Sequence, residues 1–573
     1  MRHRSSQYIF NSVPTAKLRR NRFDLSHRLL TSMTPGKLYP IMCEEVIPGD
    51  TFKIKENHVI RLTSQYMRPV MDNLFMDVYY FYVPSRILYD DFQKVFGNPS
   101  SSAYVNNELS EIPTVPSSGN GKVHVTSKSV ADYLGLPVGD IPDGISLLPF
   151  RAFAKIYNEW FRNENTVNET YVHTGEAVSS EALNSNAWSA TNYTGMLPNV
   201  MKKKDYFTSC LPAPQKGAPV SLPIGGTAPI VGTFDTSGIP VGFDNTPAPW
   251  ASQPTVFGLL NGVPSSITGK YVIGANGGKM SYHDDESSLS TMPLYLSLTS
   301  RSTFKQVTGT ADLSQATAVN VNDMRLAFAL QKMQEEDARG GTRYREYILS
   351  HFGVSNGDIE MQIPEFLGGR RTPLGVQQVA QTTSRTSDTD PDGLGSLGAF
   401  SHSVGGSRIT KSFTEYGYVI GVACIRQMHT YQQGVARHWS RHVRNDFYDP
   451  KFANLGEQPV YTSQLYATGQ LELKGDVFGY QEAWAEYRNS PNRVSGEMRT
   501  AASHTLDVYH FADNYSSKPV LNQQFTDETP AFFGRTIAVD PTIEDAFAVD
   551  MWFDFQAYRE MPLYSVPGLI DHH

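Results

Sequence analysis

Val46 to Pro84 reads VIPGDTFKIKENHVIRLTSQYMRPVMDNLFMDVYYFYVP. Phe52 and Ile54 alternate with Lys53 and Lys55, the period of two that suits a half-buried strand. Met76 to Val83 is apolar on both alternating faces and broken only by Asp77, which fits a central strand covered on both sides. Pro84 ends the run because proline has no N–H for a ladder. Strand, loop, strand is therefore the reading of this stretch. The rest of the chain reads as long excursions returning to a β core of this kind.

Length alone gives a prior of about four domains at ~150 residues each. Of the 573 residues 40% are hydrophobic and 12% aromatic, enough for a large core and against wholesale disorder. Only 18% are charged, low for a surface that stays solvated alone, and this favours a subunit that buries surface against neighbours. The net charge of −8 excludes a chain that is basic throughout. Its distribution is uneven. Residues 1–30 hold seven Lys/Arg against one acid, and residues 501–573 hold three against eleven. A basic arm with a polyanionic partner follows from that asymmetry. Cys43, Cys210 and Cys424 are odd in number and far apart, which argues against a disulfide framework. No apolar run reaches the ~20 residues a membrane span needs, and the basic N-terminus lacks the apolar core of a secretory signal.

Four regions emerge in chain order. Residues 1–42 form a basic N-terminal arm punctuated by Pro14, Pro35 and Pro40, and residues 43–212 carry the first part of the β core with helical loops. There Ser129 caps a short helix, and Phe153, Ile156, Tyr157, Trp160 and Phe161 share one face of a helix over 149–163. Residues 213–300 differ in kind: Gly and Pro supply 22 of 88 positions and Lys/Arg only three, which reads as a surface insertion of turns and short strands. Residues 301–573 complete the core. A helix starts near Asp323, Gly340 and Gly341 break it, and Thr342 caps a second helix that Gly353 closes. Residues 370–411 read as loop, and Tyr418–Ile425 and Thr505–Phe511 as strands.

No catalytic, metal or cofactor residue is assigned. Gly353, Ser355 and Gly357 match a nucleophile elbow but follow a helix rather than a strand. Gly393, Gly395 and Gly398 match a dinucleotide loop without its strand and helix. Asp388, Asp390 and Asp392 open a calcium loop whose twelfth position is Ala399 instead of Glu. His438 and His442 lack the glutamate of a metalloprotease helix.

Two segments suit nucleic acid. In the arm, Arg2, Arg4, Lys17, Arg19, Arg20 and Arg22 offer sequence-independent phosphate contacts. Further on, Arg437, Arg441 and Arg444 interleave with Trp439, a pattern that meets phosphates with charge and a base by stacking.

The chain resembles the major capsid protein of the gokushoviruses, single-stranded DNA phages of the microvirus family. The resemblance rests on CEEVIPGDTF (43–52), VYYFYVPSRILYDDF (78–92), LPFRAFAKIYNEWFRNEN (148–165), KDYFTSCLPAPQKG (204–217), LQKMQEEDARGGTRYREYILSHFGV (330–354), YQQGVARHW (431–439) and FGYQEAWAEYR (478–488). It is weak over 218–300. It implies a mainly β fold, an eight-stranded antiparallel jelly roll with long inter-strand loops holding a few helices. It also implies a T=1 icosahedral shell of sixty copies around circular single-stranded DNA, assembled in the bacterial cytoplasm with no membrane insertion. Partners would be the chain itself, the genome, a small basic DNA-binding phage protein and a host surface receptor. The insertion would form threefold protrusions, with Trp250 and Tyr282 as receptor contacts. A phage tail or receptor-binding protein and a β-sandwich hydrolase are the alternatives.

Overall fold

The computed structural model describes residues 19–96, 110–117, 121–183, 187–220, 321–380, 397–470, 472–541 and 543–564, with the backbone of short strands between Ile230 and Ala311. Two compact units emerge: Met1–Val220 with Ala329–His573, and Ser221–Phe328. The second contains three nested antiparallel pairs: Ile230–Gly232 with Gly309–Ala311, Val256–Phe257 with Tyr295–Leu296, and Val272–Ile273 with Lys279–Met280.

The first unit is built on an antiparallel β sandwich. Its strands are β1 (Arg20–Asp24), β2 (His27–Met33), β3 (Tyr39–Val46), β4 (Thr51–Leu62), β5 (Leu74–Pro84), β6 (Glu365–Leu374), β7 (Val376–Ala380), β8 (Leu397–Ser412), β9 (Gly417–Gln427) and β10 (Phe547–Glu560). One sheet runs β1 and β2 along β10, then β4, β8 and β7; the other runs β6, β5, β9, β3. The fold is mainly β, as read, but the two sheets hold ten strands rather than eight.

Two of those strands lie in the segment read as an arm, since β1 and β2 pair with β10 from Arg20 to Met33. The sheets also take in most of the described part of 370–411, read above as loop. There the inward positions are Ala399, Ser401, Ser403, Gly405, Ser407 and Ile409; all but Ile409 are small, which leaves no apolar alternation to read. Conversely, Thr505–Phe511 is not a strand; it contains a single 3-10 turn, Asp507–Tyr509. Alternating side chains there meet no partner strand.

The core is what the Val46–Pro84 stretch announces. Phe52, Ile54 and Ile60 on β4 and Phe547, Met551, Phe553 and Phe555 on β10 are fully buried. Each such side chain contributes about 1.5–3 kcal/mol by leaving water. Phe413 bridges the sheets, touching Phe52 edge-on at 5.2 Å and Tyr82 at 4.7 Å. Two polar clusters interrupt this core. Asp77 accepts from Arg371 and Arg426. His58 contacts Glu56 at 2.6 Å and Thr372 at 3.1 Å, and Ser407 donates to Glu56 at 2.9 Å.

Residues 148–161, early in the excursion after β5, lie on the outer side of the four-stranded sheet. Helix α1 (Leu148–Ile156) continues into a wider turn, Tyr157–Phe161. Trp160 and Phe161 lie on Phe81 at 5.5 and 6.0 Å. The fully buried Arg151 holds this layer together, donating to Glu181 and to the carbonyls of Leu88 and Gly175. Ser129 caps the helix Val130–Tyr133 as read. Helices α2 (Val321–Gly340) and α3 (Tyr344–Phe352) follow. The cap of α3 is Arg343, not Thr342: the Glu346 carboxylate accepts the Arg343 N–H at 3.1 Å. Gly353 closes α3 at φ +66°, the left-handed geometry glycine adopts without strain.

Candidate nucleic-acid and assembly surfaces

The basic segment folds as a 3-10 turn, Arg437–Ser440, with a second, Arg444–Asp446, opening at its last arginine, so His438 and His442 do not share an α-helical face. Its cations are partly spoken for. Arg441 Nη2 donates to Glu486 Oε1 at 2.9 Å, with its guanidinium 4.3 Å over the Tyr487 ring. Arg437 lies 3.5 Å from the same carboxylate and donates to the Pro459 carbonyl at 2.8 Å. Arg444 and Trp439 are exposed, the indole 68% so, with its ring 5.1 Å from that of His438. A cleft of about 780 Å³ opens beside them, lined by Tyr431, Arg437, Trp439, Glu486, Tyr487 and Arg499 among others. Among the described residues the arrangement offers an aromatic face and an unpaired cation, flanked by two arginines held by a glutamate.

Of the arm residues, Arg2, Arg4 and Lys17 lie outside the described residues, as do Trp250 and Tyr282. Arg19 is exposed ahead of β1. Arg20 and Arg22 sit on exposed positions of β1, with Arg20 Nη2 donating to the Gly49 carbonyl and to Thr51 Oγ1 at 2.8 Å. Thus the structure brings Arg20 and Arg22 onto one sheet face.

The motif fragments fare simply. Ser355 follows the glycine cap of α3 on the surface, which is not a strand-to-helix elbow. The aspartates and glycines of 388–395 lie outside the described residues. Among the described residues no three His, Cys, Asp or Glu side chains cluster as metal ligands, and no helix is long and apolar enough to cross a membrane. All three cysteines are free thiols; burial pushes the Cys43 thiol up to about 12.

Sequence reasoning did not find two features. One is an exposed apolar strip beside the basic turn: Val443, Phe447, Tyr448, Leu455 and Tyr487 are each 45% or more exposed. Such a strip marks an interaction surface. The other is a buried ionic group in which His429 contacts Asp513 at 3.0 Å and Glu528 at 3.1 Å. Burial disfavours the imidazolium, yet the two carboxylates outweigh it and raise its pKa to about 10. These partners are 84 and 99 residues away in sequence, so no local signal announces them.

The described residues thus form a β sandwich with long excursions and exposed aromatic surface. Comparison with known proteins gives the family. The family model described as "Capsid protein (F protein)" matches residues 11–569, and the chain belongs to this family. It is 36% identical to capsid protein VP1 of Bdellovibrio phage phiMH2K over 574 residues, 99% of this chain and 98% of that one. It is 35% identical to capsid protein VP1 of Spiroplasma virus 4 over 576 residues, and 36% identical to that of Chlamydia phage 1 over 598, each covering 97% of the relative. The resemblance to gokushovirus capsid proteins stands, and the chain is a structural capsid protein of a phage virion.

Proposed function

We propose that the chain assembles with itself into a closed T=1 shell of sixty copies around a circular single-stranded DNA, in the cytoplasm of a bacterial host. The observation that carries this reading is the end-to-end match to the capsid family over residues 11–569. The exposed apolar strip and the low charged fraction support it, since both fit a subunit that finishes burying itself against neighbours. The protein performs no catalysis and holds no obligatory cofactor. Arg2, Arg4, Lys17, Arg19, Arg20 and Arg22 face the genome, where a small basic phage protein shares the DNA. Trp439 and Arg444 make a second, smaller contact, positioned by the pairing of Arg437 and Arg441 with Glu486. Residues 213–300 form protrusions at the threefold axes and meet the host receptor through groups such as Trp250 and Tyr282.

Nuclease protection tests the reading. The purified protein from infected cells should sediment as a particle and shield a circular single strand from added nuclease. A protein that sediments as a free subunit and protects no DNA contradicts it.

A further inference from the structure

The sheet that carries β1 and β2 has an outer face that no described element covers. Along β4, Lys53, Lys55, Asn57, Val59 and Arg61 alternate outward while Phe52, Ile54, Glu56, His58 and Ile60 are buried. The same alternation turns Asp550, Trp552 and Asp554 of β10 outward, along with Val404, Gly406 and Arg408 of β8. On this face of a chain of net charge −8, seven Lys/Arg stand against four carboxylates among the described residues.

Register orders these groups into rows. The middle row crosses Arg28, Trp552, Asn57 and Gly406. Trp552 is 49% exposed, and no other ring stacks on it among the described residues. Gly406 cannot carry a side chain without displacement, because a Cβ there would meet the Glu56 carbonyl oxygen at 2.4 Å. The row therefore falls from an indole through an amide to a glycine whose carbonyl accepts from Arg370 Nη1 at 3.1 Å, beside an open aromatic face. The next row holds Asp554, Lys55 and Arg408. Lys55 and Arg408 have no ion-pair partner within 4.0 Å among the described residues, whereas Arg28 is held by Asp550 at 2.7 Å. Arg20 and Arg22 stand on the same face along β10. The chain enters this sheet directly from the segment carrying Arg2, Arg4 and Lys17.

We infer that this sheet face is a binding platform for single-stranded DNA, with a base stacked on Trp552 and phosphates met by Lys55, Arg408 and Arg61. The chemistry is that of single-strand binding surfaces generally: an aromatic face that accepts any base, inside a field of cations that follows the backbone. A duplex would hide its base faces, so a stacking indole selects the unpaired strand. The opposite side of the sandwich differs, since the four-stranded sheet is covered by α1 and its following turn. The inference rests on the proposed enclosure of DNA and names the surface that does the enclosing.

The test titrates unassembled full-length subunits with oligothymidine at several salt concentrations, and maps ultraviolet cross-links in those complexes and in DNA-filled particles by mass spectrometry. Wild type should cross-link within residues 51–62 or 547–560. Trp552→Ala should weaken binding about tenfold, and Trp552→Phe should recover most of it. Lys55→Gln with Arg408→Gln should lower the logarithmic salt slope by about 1.4, at ~0.7 for each phosphate of a single strand that is no longer neutralised. These side chains point to solvent, so shells still form. Cross-links confined to other segments, with affinity and slope unchanged in both variants, overturn the platform while leaving DNA enclosure intact. Shells that fail to form in Trp552→Ala with DNA affinity unchanged overturn it in favour of a contact between copies. Wild-type particles that hold no DNA overturn both readings.

Discussion

Asp77 Oδ2 accepts a hydrogen bond from Arg426 Nη2 at 2.6 Å, and Asp77 Oδ1 accepts one from Arg371 Nε at 2.6 Å. The carboxylate is the single charge in the apolar run of β5, and it is fully buried. Its two partners come from β9 and β6, the strands on either side, so one acid ties three strands together.

Removing that acid should therefore cost more than an ordinary core truncation. Asp77→Ala leaves the mostly buried Arg426 without its counter-ion, a loss of about 3–5 kcal/mol. Burial pushes the Asp77 pKa up, but Arg371 and Arg426 outweigh it and hold the group below the usual carboxylate range. A depressed folded-state pKa gives stability that is complete above about pH 4 and is lost as pH falls through the folded value. Unfolding midpoints measured between neutral and acid pH should drop for wild type, and the drop should be shallower in Asp77→Asn. A variant as stable as wild type at neutral pH would contradict the clamp.

His429 carries the opposite sign. Held between Asp513 and Glu528, it titrates near 10 in the folded chain against about 6.5 in an unfolded one. Its contribution is full below about pH 6.5 and is lost as pH rises through about 10. Melting temperature should fall across that interval in wild type, and His429→Gln should remove most of the slope. The same variant should be less stable at pH 7, since buried Glu528 loses its cation and Asp513 keeps only Lys202, at 3.5 Å. A flat wild-type profile between those pH values refutes the assignment.

Gly405 tests how closely the two sheets pack. A Cβ at this position would lie 2.2 Å from Thr372 Oγ1 and 2.4 Å from His58 Nε2. Gly405→Ala must part β8 from β6 or break the hydrogen bond between His58 and Thr372, at a cost of about 1–3 kcal/mol. Denaturant unfolding of the variant checks this. Unchanged stability would show that the polar cluster yields freely.

Which parts of this were legible in the sequence follows from what each element buries. The strands β4 and β5 announce themselves because one alternates cleanly and the other is apolar on both faces. The strand β8 stays hidden because its inward residues, Ile409 apart, are alanine, serines and a glycine that makes room for His58 and Thr372. The strand β1 reads as an arm because RNRFD has a single apolar residue, the half-buried Phe23, and its pairing with β10 spans more than five hundred residues. The basic turn was visible as a string of residue types, but its two arginines facing Glu486 were not, since that acid lies 45 residues from Arg441. Charge composition finds cations. It cannot say which of them are already neutralised.

The arm makes a separate prediction. Replacing Arg2, Arg4, Lys17, Arg19, Arg20 and Arg22 by Gln should reduce the DNA content of purified particles and the sensitivity of that content to salt, because each phosphate contact carries a share of the salt dependence. The sandwich should survive, with Arg20 giving up its surface bonds to Gly49, Thr51 and the Tyr558 carbonyl. Particles with unchanged DNA content would assign the arm a purely structural role.

Electron microscopy of the purified protein addresses the central claim most directly. The account predicts closed isometric particles of uniform size, with icosahedral averages that place sixty copies of the sandwich in one shell. A field of dispersed monomers, or of fibres, would contradict it.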